Sequence, residues 1–501
     1  MPPVRTGIAA VSAELVVALA QEHVIDVYTD TCLPRRSGSE GGPRRSGSES
    51  GAHEFVWRQR QRPYDLIVYQ VGNSSHHDYI WPYLFRYPGL TVLHDAHLHH
   101  ARAAALLRTR RARDYRAEFA ANHPGANPDL AELAVAGFDN HLYYLWPMTR
   151  LMIETSKVTA VHTPALAASL REEHPAAHIA SIHLAHGEPV TAERARAARA
   201  RVRKMHHILE DAMVFGVFGG LTPEKRIPQI LDALGAVLPY APSAHLLLAG
   251  AAAQHFDADA AVRDRGLAAH VTMAGYLPDD GELMDHVTAC DVSINLRWPT
   301  AREMSGPWVR ALAAGQPTIT TDLAHLADVP SLDPRTWSMR PGSGIRDPGS
   351  ESRSDPASRT PDRAYRSDPA PRTPDPAYRS DPASRTPDPT SRTPDPASRT
   401  PDPVTIAVDI LDEDHCLRLA MRRLATDAAL RASLGASARA YWDREHSMPR
   451  MLEDYRRLIA EAAAVPAPTP VLPPHVFNNG DATLGALLAP FDIDRATVFG
   501  D

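Results

Sequence analysis

Cysteine is scarce in this chain: Cys32, Cys290 and Cys416 are the only ones among 501 residues. An odd number of widely separated cysteines does not form a disulfide framework, and the spacing is not that of a zinc site. Such usage is typical of a reducing compartment. We therefore expect a cytoplasmic protein without structural disulfides.

Long hydrophobic runs are also missing. No run approaches the length of a membrane-spanning helix, and the N-terminus lacks the apolar core of a signal peptide. The formal net charge is only −7, so we expect no nucleic-acid partner. The remaining composition, 44% hydrophobic and 23% charged, suits two domains that each have a core.

Two segments differ in composition from the rest. Residues 342–403 are rich in proline and contain almost no aliphatic or aromatic side chains, which predicts a disordered insert. Within this insert, Ser-Arg-Thr-Pro-Asp recurs at 358–362, 384–388, 391–395 and 398–402. Residues 35–52 hold Arg-Arg-Ser-Gly-Ser-Glu twice among glycines, which predicts a flexible surface loop. A strand pattern resumes at 404–408.

Short apolar segments rich in β-branched residues alternate with helical patterns in two successive series. The first series occupies 24–28, 65–69, 90–93, 158–161 and 179–182, and the second occupies 213–219, 245–248, 271–273, 292–295 and 318–320. This alternation predicts an α/β fold with two Rossmann-like, doubly wound parallel sheets. Ligands of such domains bind at the carboxyl ends of the strands, here across a cleft.

The loop in residues 299–317 is where we expect the chemistry. Residues 308–314 have helical composition, so Glu303, Ser305 and Gly306 lie at the entrance to a helix N-terminus. Free backbone N–H groups and a partial positive charge there suit a phosphate or sugar hydroxyls. A carboxylate accepts bonds from hydroxyls but repels phosphate, so the loop favours a ligand with both features, such as a nucleotide sugar. The alternative is a capping carboxylate at an ordinary turn.

An ordered set of motifs resembles the retaining GT-B-fold glycosyltransferases of family 4, of the glycosyl transferases group 1 type. The resemblance covers most of residues 1–460 outside the two inserts. Its donor-side motifs are Gly219-Gly-Leu-Thr-Pro-Glu-Lys225, Leu247-Leu-Ala-Gly250, Val271-Thr-Met-Ala-Gly-Tyr-Leu277, Ala289-Cys-Asp-Val-Ser-Ile-Asn-Leu-Arg297 and Pro299-Thr-Ala-Arg-Glu-Met-Ser-Gly306. Its acceptor-side motifs are Pro2-Pro-Val-Arg-Thr-Gly-Ile-Ala9, Tyr69-Gln-Val-Gly-Asn73 and Leu93-His-Asp95.

The resemblance implies roles for particular residues. Lys225 contacts the diphosphate, Glu303 binds the donor sugar's hydroxyls, and His94 lies near the sugar that is transferred; these three are the predicted catalytic residues. The predicted donor-binding residues are Gly7, Gly219, Gly220, Lys225, Arg226, Gly275, Tyr276, Glu303, Ser305 and Gly306. No metal or other cofactor is implied, because Lys225 and helix N-termini take the place of a cation.

The chain departs from the family pattern at three points. The family has an arginine five residues before the lysine, and Gly220 stands at that position here. Arg226, next to Lys225, is our candidate replacement for this arginine. The family's second glutamate falls on Ala311 or, with a one-residue gap, on Arg310. A strand precedes the first loop in the family, whereas Met1 lies inside that loop, so the strand is absent or begins upstream.

The resemblance also divides the chain. We predict an acceptor-side domain at 1–205, a donor domain at 206–341 and 404–440, a helix at 441–464 that crosses back to the first domain, and a proline-rich tail at 465–501. The implied reaction is transfer of a sugar, with retention, from a nucleotide-diphosphate sugar to a glycan, a lipid-linked acceptor or a small molecule. Arginines within 102–116 leave peripheral contact with the inner membrane face open, although they spread around their helix.

Two other functions remain open at this stage. A nucleotide-sugar epimerase on the same fold needs paired acid and base carboxylates, of which the sequence identifies only Glu303. A catalytically degenerate scaffold is favoured by the missing arginine and second glutamate. His97, His99 and His100 lack a carboxylate or cysteine partner at metal-ligand spacing, so we predict no metal site.

Overall fold

The computed structural model describes residues 7–30, 49–138, 142–253, 256–340, 402–478, 481–494 and 497. Most of both predicted inserts lies outside these residues, so their disorder stays a prediction. The described chain forms parallel sheets with helices between the strands, and the predicted α/β class is confirmed. Among the described residues, no helix combines the length and apolarity that a membrane crossing needs.

The first sheet has four parallel strands in the order β3-β4-β5-β6. They are β3 (Val68–Val71), β4 (Leu90–Leu93), β5 (Val158–Val161) and β6 (Ile179–Ser181). The helices of this part are α1 (Gly7–Leu19), α2 (Phe55–Gln61), α3 (Ile80–Arg86), α4 (His99–Leu107), α5 (Ala112–Asn122), α6 (Asp129–Val135), α7 (Leu142–Leu145), α8 (Arg150–Thr155) and α9 (Pro164–Glu173). β4 and β5 are buried along their whole length, as strands covered on both faces should be.

One predicted strand of the first series lies elsewhere. The segment expected at 24–28 forms β1 (Val27–Thr29), which pairs in parallel with β2 (Glu49–Gly51) in a separate two-stranded sheet. Tyr28 packs edge-on against Phe55 and donates or accepts a 2.6 Å hydrogen bond with the Tyr64 hydroxyl. These aromatic contacts hold β1 beside α2, away from the four-stranded sheet.

The second sheet has seven parallel strands in the order β12-β13-β11-β10-β7-β8-β9. They are β7 (Val214–Phe218), β8 (His245–Ala249), β9 (Val271–Gly275), β10 (Val292–Asn295), β11 (Thr318–Thr321), β12 (Ser331–Leu332) and β13 (Thr405–Val408). The strand predicted at 404–408 is thus confirmed as β13. The chain order reverses between β7 and β10, which creates a crevice at their carboxyl ends.

Nine further helices complete the described chain. They are α10 (Ala192–Met205), α11 (Ile227–Val237), α12 (Ala258–Asp264), α13 (Asp280–Ala289), α14 (Gly306–Ala313), α15 (Glu413–Thr426), α16 (Ala428–Glu445), α17 (Met448–Ala464) and α18 (Asp481–Leu488). α17 shares a hydrophobic core with α1 and the first sheet, since Tyr455 and Leu458 pack in one cluster with Leu90 and Val158. Helix α17 therefore packs against the first sheet. The domain boundaries themselves stay a prediction.

The two ends of the proline-rich insert lie beside the same short strand. The Arg340 N–H donates to the Ser331 carbonyl at 2.9 Å, and the Val404 N–H donates to the Pro330 carbonyl at 2.8 Å. Replacing residues 343–401 with a Gly-Ser linker of about eight residues should shift the melting temperature by only a few degrees, because loop entropy changes slowly with length. Thermal unfolding measures this, and a collapse of the fold would show that the insert packs on the core.

A charged cluster fastens the C-terminal helices to the end of β6. His183 Nδ1 lies 2.5 Å from Asp454 Oδ2, and His183 Nε2 lies 3.1 Å from Glu445 Oε2. Burial lowers the pKa of His183, but the hydrogen bonds to these two carboxylates outweigh it and raise the pKa to about 9.

This shift predicts a pH-dependent contribution to stability. The unfolded chain loses the proton near pH 6.5 and the folded chain near pH 9, so the stabilisation is complete below pH 6.5 and is lost as the pH rises through 9. The difference in unfolding free energy between the wild type and His183→Gln should therefore shrink from pH 6.5 to pH 9. Urea denaturation of both proteins across this range is the measurement, and a constant difference would contradict it.

Candidate functional site

Lys225 lies at the carboxyl end of β7, in a short 3-10 helix at Pro223–Lys225. Its Nζ donates a 2.6 Å hydrogen bond to the Phe218 carbonyl, and the side chain packs over Gly219, where φ is +87°. Burial and the nearby Arg297 lower the pKa of Lys225 to about 7, although Glu303 acts in the opposite direction. The amine is therefore poised to take up a proton when an anion approaches.

Glu303 organises the loop after β10. Its Oε2 accepts from Thr300 Oγ1 at 2.9 Å and from the Ala301 N–H at 2.8 Å, and its Oε1 lies 2.7 Å from Arg297 Nε. Burial raises the pKa of Glu303, but Arg297 and the hydrogen-bond donors hold it below its usual value. The loop thus folds around an ionised carboxylate.

The helix predicted after this loop is confirmed as α14, which begins at Gly306. Ser305 is its N-cap, with Oγ accepting from the Trp308 N–H at 3.4 Å. The start of α14 lies against the loop after β7, because a Cβ built on Gly219 would be 3.3 Å from Pro307 Cγ. The structure therefore brings Gly219, Lys225, Glu303, Ser305 and Gly306 together at the crevice between β7 and β10.

The loop after β4 contacts the same region from the first sheet. The N–H groups of Ala96 and His97 donate to the Ala301 carbonyl at 2.9 and 3.0 Å. Beside them, Asp95 Oδ2 accepts from the Asn73 N–H at 2.6 Å. Burial and the Glu303 carboxylate raise the pKa of Asp95 to about 7. A second carboxyl group, whose charge changes near neutral pH, thus interacts electrostatically with Glu303.

His94, which directly follows β4, lies in a hydrogen-bonded network. Its Nε2 lies 2.7 Å from Gln70 Oε1 and its Nδ1 lies 3.0 Å from His162 Nε2, while Gln70 also donates to the Tyr455 hydroxyl. Burial and His162 lower its pKa well below the usual value, so the ring is neutral. Both ring nitrogens have partners from the chain itself, and the role predicted for His94 stays a prediction.

Four other predicted donor-binding residues lie on different elements. The guanidinium of Arg226, a residue with φ +59°, forms a bidentate pair with Glu413 of α15. Gly275 ends β9 and Tyr276 follows it, at the edge of the sheet and two strands beyond β7. Gly7 begins α1, and the residues before it lie outside the described ranges. The structure therefore gives Arg226 a carboxylate partner of its own and does not bring it to Lys225.

Arg297, Asp95 and Tyr144 are site residues that sequence reasoning missed. The Tyr144 hydroxyl donates to Glu224 Oε1 at 3.1 Å, next to Lys225, and so links α7 to the loop after β7. Arg297 and Asp95 each occur at the end of a quoted motif, after a buried strand, which was the available signal. Among the described residues, no cluster of three His, Cys, Asp or Glu side chains is arranged to hold a metal ion.

Comparisons with known proteins give a partial match. Residues 212–335, from β7 to β12, match the family model described as "Glycosyl transferases group 1". No curated protein matches the chain. Among solved structures, it is similar to WaaG, a glycosyltransferase involved in lipopolysaccharide biosynthesis, with 14% identity, 90% of this chain and 96% of WaaG covered, and a TM-score of 0.49.

A second similar structure is HepE of Anabaena in complex with UDP and glucose, with 12% identity, 87% of this chain and 99% of HepE covered, and a TM-score of 0.46. A third is a TarM mutant of S. aureus in complex with Fondaparinux, alpha-GlcNAc-glycerol and UDP, with 12% identity, 62% of this chain and 46% of TarM covered, and a TM-score of 0.38.

The buried amine of Lys225 predicts a pH-dependent penalty on stability. The unfolded chain takes up this proton near pH 10.5 and the folded chain near pH 7, so the wild type is penalised increasingly as the pH falls between these values. Lys225→Met should therefore gain stability relative to the wild type from pH 9 to pH 7, by up to roughly 1.4 kcal/mol per pH unit. Lys204→Met, at an exposed lysine of α10, is the matched control and should show no such trend. Equal slopes for both variants in urea denaturation would contradict the buried charge.

Proposed function

We propose that the chain is a glycosyltransferase that moves a sugar, with retention, from a nucleotide-diphosphate sugar to an acceptor on a GT-B fold of the family 4 type. The observation that carries the proposal is that Lys225, which is buried, and Glu303, which is mostly buried, both lie at the crevice between β7 and β10. Their charges act on one another, and both lie within the residues matched by the family model.

The site offers complementary groups to the two halves of such a donor. The Lys225 amine and the N-terminus of α14 suit the charge of a diphosphate leaving group. Glu303 suits sugar hydroxyls, because its ionised carboxylate accepts hydrogen bonds and is held in place by Thr300, Ala301 and Arg297. Lys225, whose pKa is about 7, gains full charge when a phosphate approaches.

The proposed step breaks the bond between the anomeric carbon and the diphosphate oxygen. The acceptor oxygen bonds to the same face of that carbon, and its proton passes to the departing phosphate. This course needs no protein nucleophile and no metal, because the protein's task is to stabilise the leaving charge and orient both partners. We propose an acceptor that is a glycan, a lipid-linked molecule or a small molecule. We also propose that the protein is cytoplasmic and acts at the inner membrane face.

A nucleotide-sugar epimerase is the second candidate, and one observation favours it. Asp95 supplies the second carboxyl group that such chemistry needs, and the difference in pKa between Asp95 and Glu303 is the pattern of an acid and base pair. The products distinguish the two functions. A transferase releases a nucleoside diphosphate, whereas an epimerase returns an isomeric nucleotide sugar with the diphosphate bond intact.

Substitutions at Lys225 and Glu303 test the proposed division of roles. Lys225→Ala should weaken binding of nucleoside diphosphate about tenfold to a hundredfold, since a charge-assisted contact is worth about 1.5–3 kcal/mol. Glu303→Gln, which keeps the shape of the side chain, should retain diphosphate binding but lower turnover of the donor sugar. Calorimetry with a panel of nucleoside diphosphates and an assay of nucleotide release separate these effects. Equal loss of diphosphate binding in both variants would overturn the division of roles, and unaltered diphosphate binding in both, with no turnover by the wild type, would favour the scaffold.

A further inference from the structure

We propose that Arg297 is the second cation of the diphosphate site and does the work of the arginine that this chain lacks at position 220. This inference rests on the proposed function and names a residue that carries it. Three observations support it: the space at Gly220, the open face of the Arg297 guanidinium, and the position of Arg297 among the charges of the crevice.

Position 220 has room for a side chain but carries none. A Cβ built on Gly220 would meet only the Ala251 carbonyl oxygen at 3.9 Å and Thr222 Cγ2 at 4.0 Å, and its φ is not in the left-handed region. Gly219, by contrast, has φ +87° and packs against Lys225. The glycine at 220 is therefore not required by backbone geometry, and a second cation for the crevice can come from another element.

Arg297 follows β10, and Lys225 follows the neighbouring strand β7. β10 pairs in parallel with β7, with Ser293 opposite Gly216, so the carboxyl ends of both strands open at the same edge. The backbone N–H of Arg297 donates to Thr321 Oγ1 at 2.9 Å, which fixes the point where the side chain leaves the sheet. The loop that carries Arg297 then lies beside Lys225, because the Trp298 N–H donates to the Glu224 carbonyl at 2.8 Å, and the charge of Arg297 lowers the pKa of the Lys225 amine.

The guanidinium has one edge occupied and one edge open. Nε pairs with Glu303 at 2.7 Å, while the two terminal amino groups have no hydrogen-bond partner among the described residues. The side chain is only partly buried, at 27% exposure. An arginine held through Nε presents two parallel donors, the arrangement that binds phosphate oxygens in a bidentate manner.

Arg297 lies among several charges of the crevice, of which Glu303 is its ion-pair partner. The positive charge of Arg297 acts to lower the pKa of the carboxyl groups of Glu303, Glu224 and Asp95. It also acts to lower the pKa of Lys225, which is a like charge. Two cations this close repel each other, and a diphosphate between them would relieve that repulsion. The pair of Lys225 and Arg297 would then share the leaving charge.

The test compares Arg297→Gln with a matched control, Arg302→Gln. Arg302 lies on the same loop but pairs with Glu173 at 2.9 Å, outside the crevice charges. Calorimetry with UDP, GDP, ADP, CDP and dTDP, and with the matching monophosphates, measures affinity. Arg297→Gln should weaken the best diphosphate about tenfold to a hundredfold and the monophosphate far less. Arg302→Gln should leave both unchanged.

Two double variants separate a phosphate contact from an indirect effect. Arg297→Gln with Glu303→Gln removes the carboxylate that the first substitution leaves unpaired, and diphosphate binding should stay weak. Arg297→Gln with Gly220→Arg returns a cation to the open position, and should regain about tenfold in affinity. The melting temperature of each variant reports its folding. If the glutamine variant is unstable, Arg297→Lys takes its place in the test. This variant keeps the charge without the two parallel donors, so its affinity for diphosphate should lie between those of the wild type and a variant without the charge.

The outcomes distinguish this inference from the proposed function. A wild type that binds none of the diphosphates would overturn both. A wild type that binds one of them as tightly as folded Arg297→Gln does would overturn the role of Arg297 alone. Full recovery in the variant that lacks both Arg297 and Glu303 would also overturn it, because the loss would then come from the unpaired carboxylate.

Discussion

The arrangement of the crevice depends on the buried carboxylate of Glu303. It accepts hydrogen bonds from Thr300 and from the Ala301 N–H, and it pairs with Arg297. A buried charge without such partners costs several kcal/mol, so the loop after β10 is stable only when folded around this group. The same carboxylate sets the local electrostatics, since it raises the pKa of Asp95 and partly offsets the lowered pKa of Lys225.

The sheet topology explains why these groups meet. Parallel strands open their carboxyl ends at one edge, and the chain order reverses between β7 and β10, so the loops that carry Lys225 and Glu303 separate to leave a crevice. The first sheet contributes from outside, because two N–H groups of the loop after β4 donate to the Ala301 carbonyl. Asp95 belongs to that loop, whereas Tyr144 of α7 reaches the crevice through its hydrogen bond to Glu224.

The fold alone does not decide the reaction, since the same architecture serves many chemistries. The proposal of a charged donor rests on the residue set: an amine with a lowered pKa, an arginine whose terminal amino groups are unoccupied among the described residues, and the N-terminus of a helix. Residues that adjoin a motif residue can have unrelated surroundings. His94 is neutral because burial lowers its pKa, and the guanidinium of Arg226, next to Lys225, bonds to Glu413. Residue environment, and not motif membership, therefore separates the candidates.

Local patterns in the sequence determined most of the strands, the loop after β10 and the helix that begins at Gly306. Strand periodicity, an N-cap serine and a flanking glycine act between residues that are close in the chain, so they can be recognised without a structure. The partners of the charged groups could not be predicted in this way. Arg226 adjoins Lys225 in sequence but bonds to Glu413 of α15, and Arg297 acts on Lys225 only because β10 lies beside β7. Tertiary packing decided these contacts, because they join residues whose proximity exists only once the sheet has formed.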